Sequence, residues 1–302
     1  MKKTIIISAI LIFVIQELSA QTDFQFSNYM YNQLAINPAY AGASKDVNIA
    51  LLGRSQWTGL DNGTQSFGLN AHTIIPSIGG IGITMYRNKI GYELNTAAKL
   101  SYAHTFKFKD SLSLSFGLSA GITSRSIELD QLIFASNEPL LQNGSLETKI
   151  KPDFGFGARF LWKNLDIQLA SAHLSNKLDP YDYNNIPRHF YGIASYNYHL
   201  NKKLTITPSV FFKSNGTFSQ VDANVQIIYQ DRFLGGLGYR IDQAVIATLG
   251  IKITDNISFV YSYDFITGPT NVLSPSNHEI VLIGRLNGFY KGIKNNGSKA
   301  SF

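Results

Sequence analysis

The stretch SLSLSFGLSAGIT, Ser111–Thr123, alternates without a break. Leu112, Leu114, Phe116, Leu118, Ala120 and Ile122 fall on one face. Ser111, Ser113, Ser115, Gly117, Ser119, Gly121 and Thr123 fall on the other. A helix repeats every 3.6 residues and would scatter this pattern, so a period of two held from Ser111 to Thr123 is a strand with one apolar and one small, polar face. It is also long enough for a tilted crossing of a bilayer, which takes about 9–11 residues.

The same template recurs along the chain. Phe67, Leu69 and Ala71 alternate with Gly68, Asn70 and His72; Val221, Ala223, Val225 and Ile227 with Asp222, Asn224 and Gln226; Ile257, Phe259, Tyr261, Tyr263 and Phe265 with Ser258, Val260, Ser262 and Asp264. About fourteen such segments are predicted, near 45–57, 64–75, 80–88, 93–106, 111–125, 153–162, 164–172, 189–200, 204–213, 219–229, 232–240, 243–253, 257–266 and 278–288. Pro208 falls inside one of them and cannot donate to a ladder, so a bulge is expected there.

The connections alternate too. Residues 76–79, 107–110, 163–164, 201–203, 230–231 and 254–256 are short and turn-like, whereas 126–152, 173–188, 214–218 and 267–277 belong to an interleaved set that is longer on average. In an up-and-down barrel alternate connections lie at opposite ends, and outer-membrane barrels keep tight turns at the periplasmic end and longer loops outside. The expected fold is therefore all-β: an up-and-down antiparallel transmembrane β-barrel of about 14 strands, outer-membrane type. The polar face carries Arg54, Glu93, Lys99, Arg159, Asp166, Lys213, Asp222, Arg240, Asp264, Glu279 and Arg285. Arg54, Lys99, Arg159, Asp222, Arg240 and Asp264 are the residues assigned to the lining of a wet lumen. Trp57, Tyr86, Trp162, Tyr196, Tyr198 and Tyr229 stand near strand ends, where interfacial aromatic girdles belong. A secreted soluble β-sandwich, which also alternates, is the competing fold.

Composition agrees with a barrel. Charged residues make up 15% of the 302 residues and aromatics 13%, against about 25% charged in an average soluble protein. Lys2 and Lys3, the apolar run Thr4–Ile15 and Leu18-Ser19-Ala20 read as an export signal over residues 1–20, cut before Gln21. Its removal takes away Lys2, Lys3 and Glu17 and leaves 24 basic and 19 acidic residues, a net of +5. These charges form no run, so nucleic acid is not expected as a partner. Cysteine is absent, which excludes disulfides, thiolate metal sites and an N-terminal lipidated cysteine. Past the signal no apolar run is long enough for a membrane helix, so any membrane crossing must be made by a closed sheet.

Motifs for chemistry are missing. Six histidines (72, 104, 173, 189, 199 and 278) show no metal-ligand spacing. No G-x-S-x-G appears, and the glycine groups at 79–82 and 235–238 begin strands, so they are not phosphate loops. No catalytic, metal or cofactor site, and no cofactor, is expected.

Between the signal and the first strand lies QFSNYMYNQLAINPAYAG, Gln25–Gly42, nearly uncharged and with neither helical nor strand spacing along its length. Together with the signal and the strands it resembles the PorP/SprF family of outer-membrane proteins of the type IX secretion system of Bacteroidetes. The resemblance rests on Gln25, Ser27, Tyr29, Met30 and Asn32, then Asn37, Pro38, Ala39, Tyr40, Ala41 and Gly42, with Ser55-Gln56-Trp57 closing the first strand. It implies an outer-membrane location, contact with lipid, and type IX components as partners on the periplasmic face. It further implies a role in secretion or surface attachment of proteins with a C-terminal secretion domain, such as gliding adhesins. The domains expected are residues 1–20 as signal, 21–44 as the family segment, 45–288 as barrel and 289–302 as tail.

On physical grounds the family segment is expected to cap or plug the periplasmic mouth. Its tyrosines suit a surface partly dry and partly hydrogen-bonded, Asn37-Pro38 favours an extended or turn geometry, and Gly42 frees the backbone before the first strand. The connection 126–152, with Phe134, Leu140 and Leu141, either docks a secreted adhesin or folds over the mouth. A diffusion channel for small solutes is the alternative function, and an outer-membrane hydrolase would need a triad that the sequence does not single out.

Overall fold

The computed structural model describes residues 23–127, 149–175, 186–272, 274 and 276–287. The expected export signal, most of the connection 126–152 and the expected tail 289–302 lie outside the described residues. Among those described, the strands are β1 (Val47–Ser55), β2 (Gln65–Ile75), β3 (Gly79–Ile90), β4 (Glu93–Lys107), β5 (Leu112–Ile127), β6 (Lys149–Trp162), β7 (Leu165–Ala172) and β8 (His189–Tyr196). They continue as β9 (Tyr198–His199), β10 (Leu204–Ser214), β11 (Ser219–Tyr229), β12 (Phe233–Arg240), β13 (Ala244–Thr254), β14 (Ile257–Ile266) and β15 (Ser276–Leu286).

Apart from β8 and β9, each strand pairs antiparallel with its neighbours in sequence, and β1 pairs with β15 from Val47 opposite Leu286 to Ser55 opposite His278, which closes the sheet. β8 and β9 both pair with β10 in one continuous register and are two halves of a single crossing, so the barrel has fourteen. Closure leaves no sheet edge, the condition for a sheet to stand in lipid.

Pro208 does not produce the expected bulge. It stays in register opposite Val225, and β10 pairs with β11 without a shift. The missing N–H acts on the other side. The ladder to β8 and β9 lapses where Tyr196 and Asn197 stand across from Pro208 and Thr207, and the Thr207 hydroxyl donates to Asn197 Oδ1 at 2.9 Å across the gap. The register shift in this wall lies instead between Lys252 and Thr254, against β14. β6 starts at Lys149, earlier than Pro152 suggested, because β6 outruns β7 there and Pro152 sits where a ladder donor is not required.

The two faces of each strand set the barrel in its solvent. Leu100, Leu118, Leu169, Leu237 and Leu249 point outward and are 61–68% exposed. With Phe67, Phe116, Phe156 and Ile227 they make an apolar exterior that water would not tolerate at this extent and lipid does. The soluble sandwich is thereby excluded: the sheet is closed on itself and its apolar side faces out. Trp162, Tyr196, Tyr198 and Tyr229 are exposed at the short-turn end, as a girdle requires. Tyr86 is not among them. Its neighbour Met85 faces out, and the Tyr86 ring packs inside the lumen against Phe24, with centroids 5.4 Å apart.

The short turns, such as 163–164, 200–203 and 255–256, gather at the end where β1 begins and β15 finishes. The other set, including 173–188 and 267–275, gathers at the opposite end. By the rule for outer-membrane barrels the first end is periplasmic and the second faces the cell surface.

Candidate functional site

Residues 23–46 do not stop at one mouth. They enter the lumen at the surface end and run down its full height before β1 begins. Asp23 lies beside Tyr191, His173 and Lys213 near the surface-side ends of β8, β7 and β10. Tyr40 reaches His72 and Arg159 near the turn-side ends of β2 and β6. The expected cap of the periplasmic mouth is thus a core-like filling of the whole barrel.

Local chemistry shapes this path. Tyr29–Tyr31 and Pro38–Tyr40 are single 3-10 turns, and Gln33–Ile36 is one turn of α-helix. Asn37 is extended, as a residue before proline prefers, and its Oδ1 accepts from the Ala39 N–H at 2.9 Å, capping the turn that Pro38 begins. Gly42 takes φ +73° where the chain crosses β3. A Cβ on Gly42 would meet Gly80 Cα at 2.5 Å, so both positions must lack one.

The upper half of the segment is bound by charge. The backbone N–H groups of Ser27 and Asn28 donate to the two carboxylate oxygens of Glu279 at 2.8 and 2.7 Å. Ser27 Oγ donates to Asp264 Oδ2 at 2.8 Å and accepts from Arg54 Nη1 at 2.7 Å. Arg54 also pairs with Asp264 at 2.7 Å and Glu279 at 3.0 Å. Arg240 pairs with Asp222 at 2.8 Å and donates to the Phe26 carbonyl at 3.0 Å. Lys213 donates to the carbonyls of Asp23 and Phe24. Segment backbone groups that would otherwise be orphaned in the lumen are satisfied by ionised wall side chains, the stronger class of hydrogen bond. Burial alone would raise the Asp23 carboxyl pKa, but Lys213 and then the histidines beside it hold it well below the usual carboxylate range.

The middle of the segment is bound by aromatic packing. Tyr29 is fully buried, stacked on Phe211 with centroids 4.9 Å apart, and its hydroxyl meets Ser209 Oγ at 2.8 Å and Asn224 Nδ2 at 3.2 Å. Phe24 and Phe26 join Leu52, Tyr191, Val260 and Val281 in one apolar cluster inside the barrel. Burying each phenyl ring is worth about 1.5–3 kcal/mol, which an open, wet lumen would forfeit.

The lower half is bound by amides and glycines. Asn70 donates to Asn32 Oδ1 at 3.0 Å, Gln168 to Gln33, and Asn37 Nδ2 to Gln168 Oε1 and the Ala158 carbonyl. Asn37 presses on Gly157, where a Cβ would fall 1.9 Å from its Oδ1. Arg159 lies over the Tyr40 ring at 4.7 Å and pairs with Asp166 at 2.7 Å. Near this end Tyr31, Tyr40, His72 and Arg285 line a cavity of about 100 Å³.

Of the residues expected in this site, Gln25, Ser27, Tyr29, Met30, Asn32, Asn37, Pro38, Tyr40 and Gly42 all lie in the lumen. Gln25 accepts from Gln56 and Met30 sulfur from Ser209. Trp57 does not join them: it sits past β1 on the surface side at φ +56°, its backbone N–H donating to Asn277 Oδ1. Arg54, Arg159, Asp222, Arg240 and Asp264 face inward, as does Lys99, paired with Asp153 at 2.5 Å. They line a lumen that the segment largely fills. Glu279, Phe211, Gln168, Gly157 and Asp153 are partners that alternation placed inward without indicating what they would touch.

The family described as type IX secretion system membrane protein PorP/SprF matches residues 18–283 of this chain. No curated protein matches it in sequence. Among solved structures, the outer membrane protein Omp33 of Acinetobacter baumannii is similar with a TM-score of 0.50 at 9% identity, over 80% of this chain and 99% of that one. The CymD monoaromatic hydrocarbon channel is similar with a TM-score of 0.50 at 9% identity, over 88% and 95%. At such identities the likeness is one of fold.

Proposed function

The chain belongs to the PorP/SprF family of type IX secretion system membrane proteins, and we propose that it serves secretion as a closed scaffold and not as a conduit. In this reading it supports the secretion or surface attachment of proteins bearing a C-terminal secretion domain, gliding adhesins among them. The work is done at its two ends, with secretion components held at the periplasmic face and cargo met on the surface side. The observation that carries the reading is the segment itself. Residues 23–46 run through the lumen from end to end, anchored by the Ser27–Arg54–Asp264–Glu279 network above and the Asn37–Gln168 bonds below. A polypeptide could not share that space. The family's characteristic stretch is thereby accounted for as the element that closes the barrel.

Deletion in the native host, followed by quantitative proteomics of cell surface and medium, tests the reading. Loss of all proteins with C-terminal secretion domains places the chain in the core apparatus, and loss of one large adhesin makes it that adhesin's partner. An unchanged surface would overturn the secretion reading in favour of the diffusion channel. Planar-bilayer recordings supply the second test: the intact protein should be silent, and removal of residues 22–42 should open a conductance.

A further inference from the structure

At the surface end of the lumen Asp23, His173 and His189 each offer one ligand atom, and these atoms all lie within 4.8 Å of one another. We propose that the three hold a divalent transition-metal ion of the zinc class, which pins the start of the lumenal segment to the two strands flanking the connection 173–188.

The three groups come from separate parts of the chain. Asp23 is the first described residue of the segment, His173 directly follows β7, and His189 opens β8. Both imidazoles are 1% exposed. His173 stands at φ +59°, a left-handed conformation that histidine adopts more readily than most side chains.

The surroundings of the rings are those of metal ligands. His189 Nδ1 lies 2.8 Å from the Pro187 carbonyl, and His173 Nδ1 lies 3.0 Å from Asp153 Oδ2. The bond to Pro187 leaves His189 Nε2 as its ligand atom, while His173 Nδ1 faces the Asp153 carboxylate without hydrogen-bond geometry and its Nε2 is 3.7 Å from Asp23 Oδ1. A ligating histidine typically has its second nitrogen on a carboxylate or a backbone carbonyl; His189 shows the carbonyl, and the Asp153 carboxylate stands beside His173. The Tyr191 hydroxyl donates to the other oxygen of Asp23, orienting the carboxylate.

Two imidazoles and one carboxylate make a borderline-soft N2O set. That set favours zinc-class ions and disfavours calcium and magnesium, which take oxygen alone. Ligands about 2.0–2.1 Å from a tetrahedral ion stand roughly 3.3 Å apart, so the site closes by side-chain adjustment. The nearby cations are already engaged: Lys213 donates to the Asp23 and Phe24 carbonyls, and Lys99 pairs with Asp153.

The full chain, purified in detergent and stripped with a chelator, is titrated with Co²⁺. The expected result is saturable binding at one ion per chain, with the visible absorption of tetrahedral coordination, displaced by Zn²⁺. His173→Gln and His189→Gln should each abolish it, and Asp153→Asn, which changes the carboxylate beside His173 and no ligand, should weaken it about 10–100-fold. Heat-modifiable gel migration confirms that each variant still forms the barrel. As a second readout, Zn²⁺ should slow proteolysis of the segment in the wild type and not in the variants. If the wild type takes up neither ion, or both histidine variants bind as it does, the proposal fails.

Discussion

Arg54 on β1 and Asp264 on β14 lie 2.7 Å apart across the closing seam of the barrel, and both hold the hydroxyl of Ser27. Neither side chain is exposed. The seam between first and last strands and the contents of the lumen are therefore fixed by the same three groups. Barrel closure and lumen filling therefore draw on the same side chains.

Arg54→Ala should destabilise the barrel strongly, because Asp264 and Glu279 would each lose an ion-pair partner while fully buried. Removing one partner of a buried pair costs about 3–5 kcal/mol. Thermal unfolding in detergent should report a lower midpoint, with Arg54→Lys intermediate, since lysine restores the charge but not the fork that reaches both carboxylates. An unchanged midpoint would contradict this shared role.

Tyr29→Phe removes the hydroxyl from Ser209 and Asn224 and should cost about 1–3 kcal/mol, because those partners stay buried. Tyr29→Ala leaves a cavity beside Phe211 and should cost about 3–5 kcal/mol, the range for a large aromatic. Equal effects of the two would mean that the ring contributes nothing.

Gly157→Val should expel the lower half of the segment while sparing the wall. A Cβ there collides with Asn37, whereas the β5–β6 pairing opposite Gly117 makes no demand on the side chain. The measurements are protease cleavage within residues 25–42 and single-channel current. Both should rise while heat-modifiable migration persists.

An epitope inserted at Gln21 should be reached by antibody on intact cells, because Asp23 sits at the loop end of the lumen. The same epitope in the turn 200–203 should be reached only after permeabilisation. The reverse pattern would invert the orientation and with it the assignment of partners to the two ends.

The strands were legible because a sheet facing two different solvents must alternate, and this chain alternates from Val47 to Leu286. Ser111–Thr123 alone identified a strand, and the short and long connections gave antiparallel order. The inward direction of Arg54, Asp222 and Asp264 followed from their place in the alternation. Tyr86 was misassigned because position near a strand end does not distinguish a lipid-facing ring from a lumenal one one residue away. Pro208 was misjudged because sequence cannot say which of two neighbouring strands a missing N–H would have faced.

The sequence by itself determined the barrel, its number of crossings and the stretch Gln25–Gly42 that marks its family. It could not determine where that stretch goes. A segment with no periodicity buries its groups against partners far away along the chain, as Ser27 does against Glu279 and Asn37 against Gly157. Those pairings exist only once fourteen crossings have closed around it. Closure also brings Asp23, His173 and His189 to one point, since strand tilt and register, and not spacing in the sequence, decide which residues share a height in the lumen.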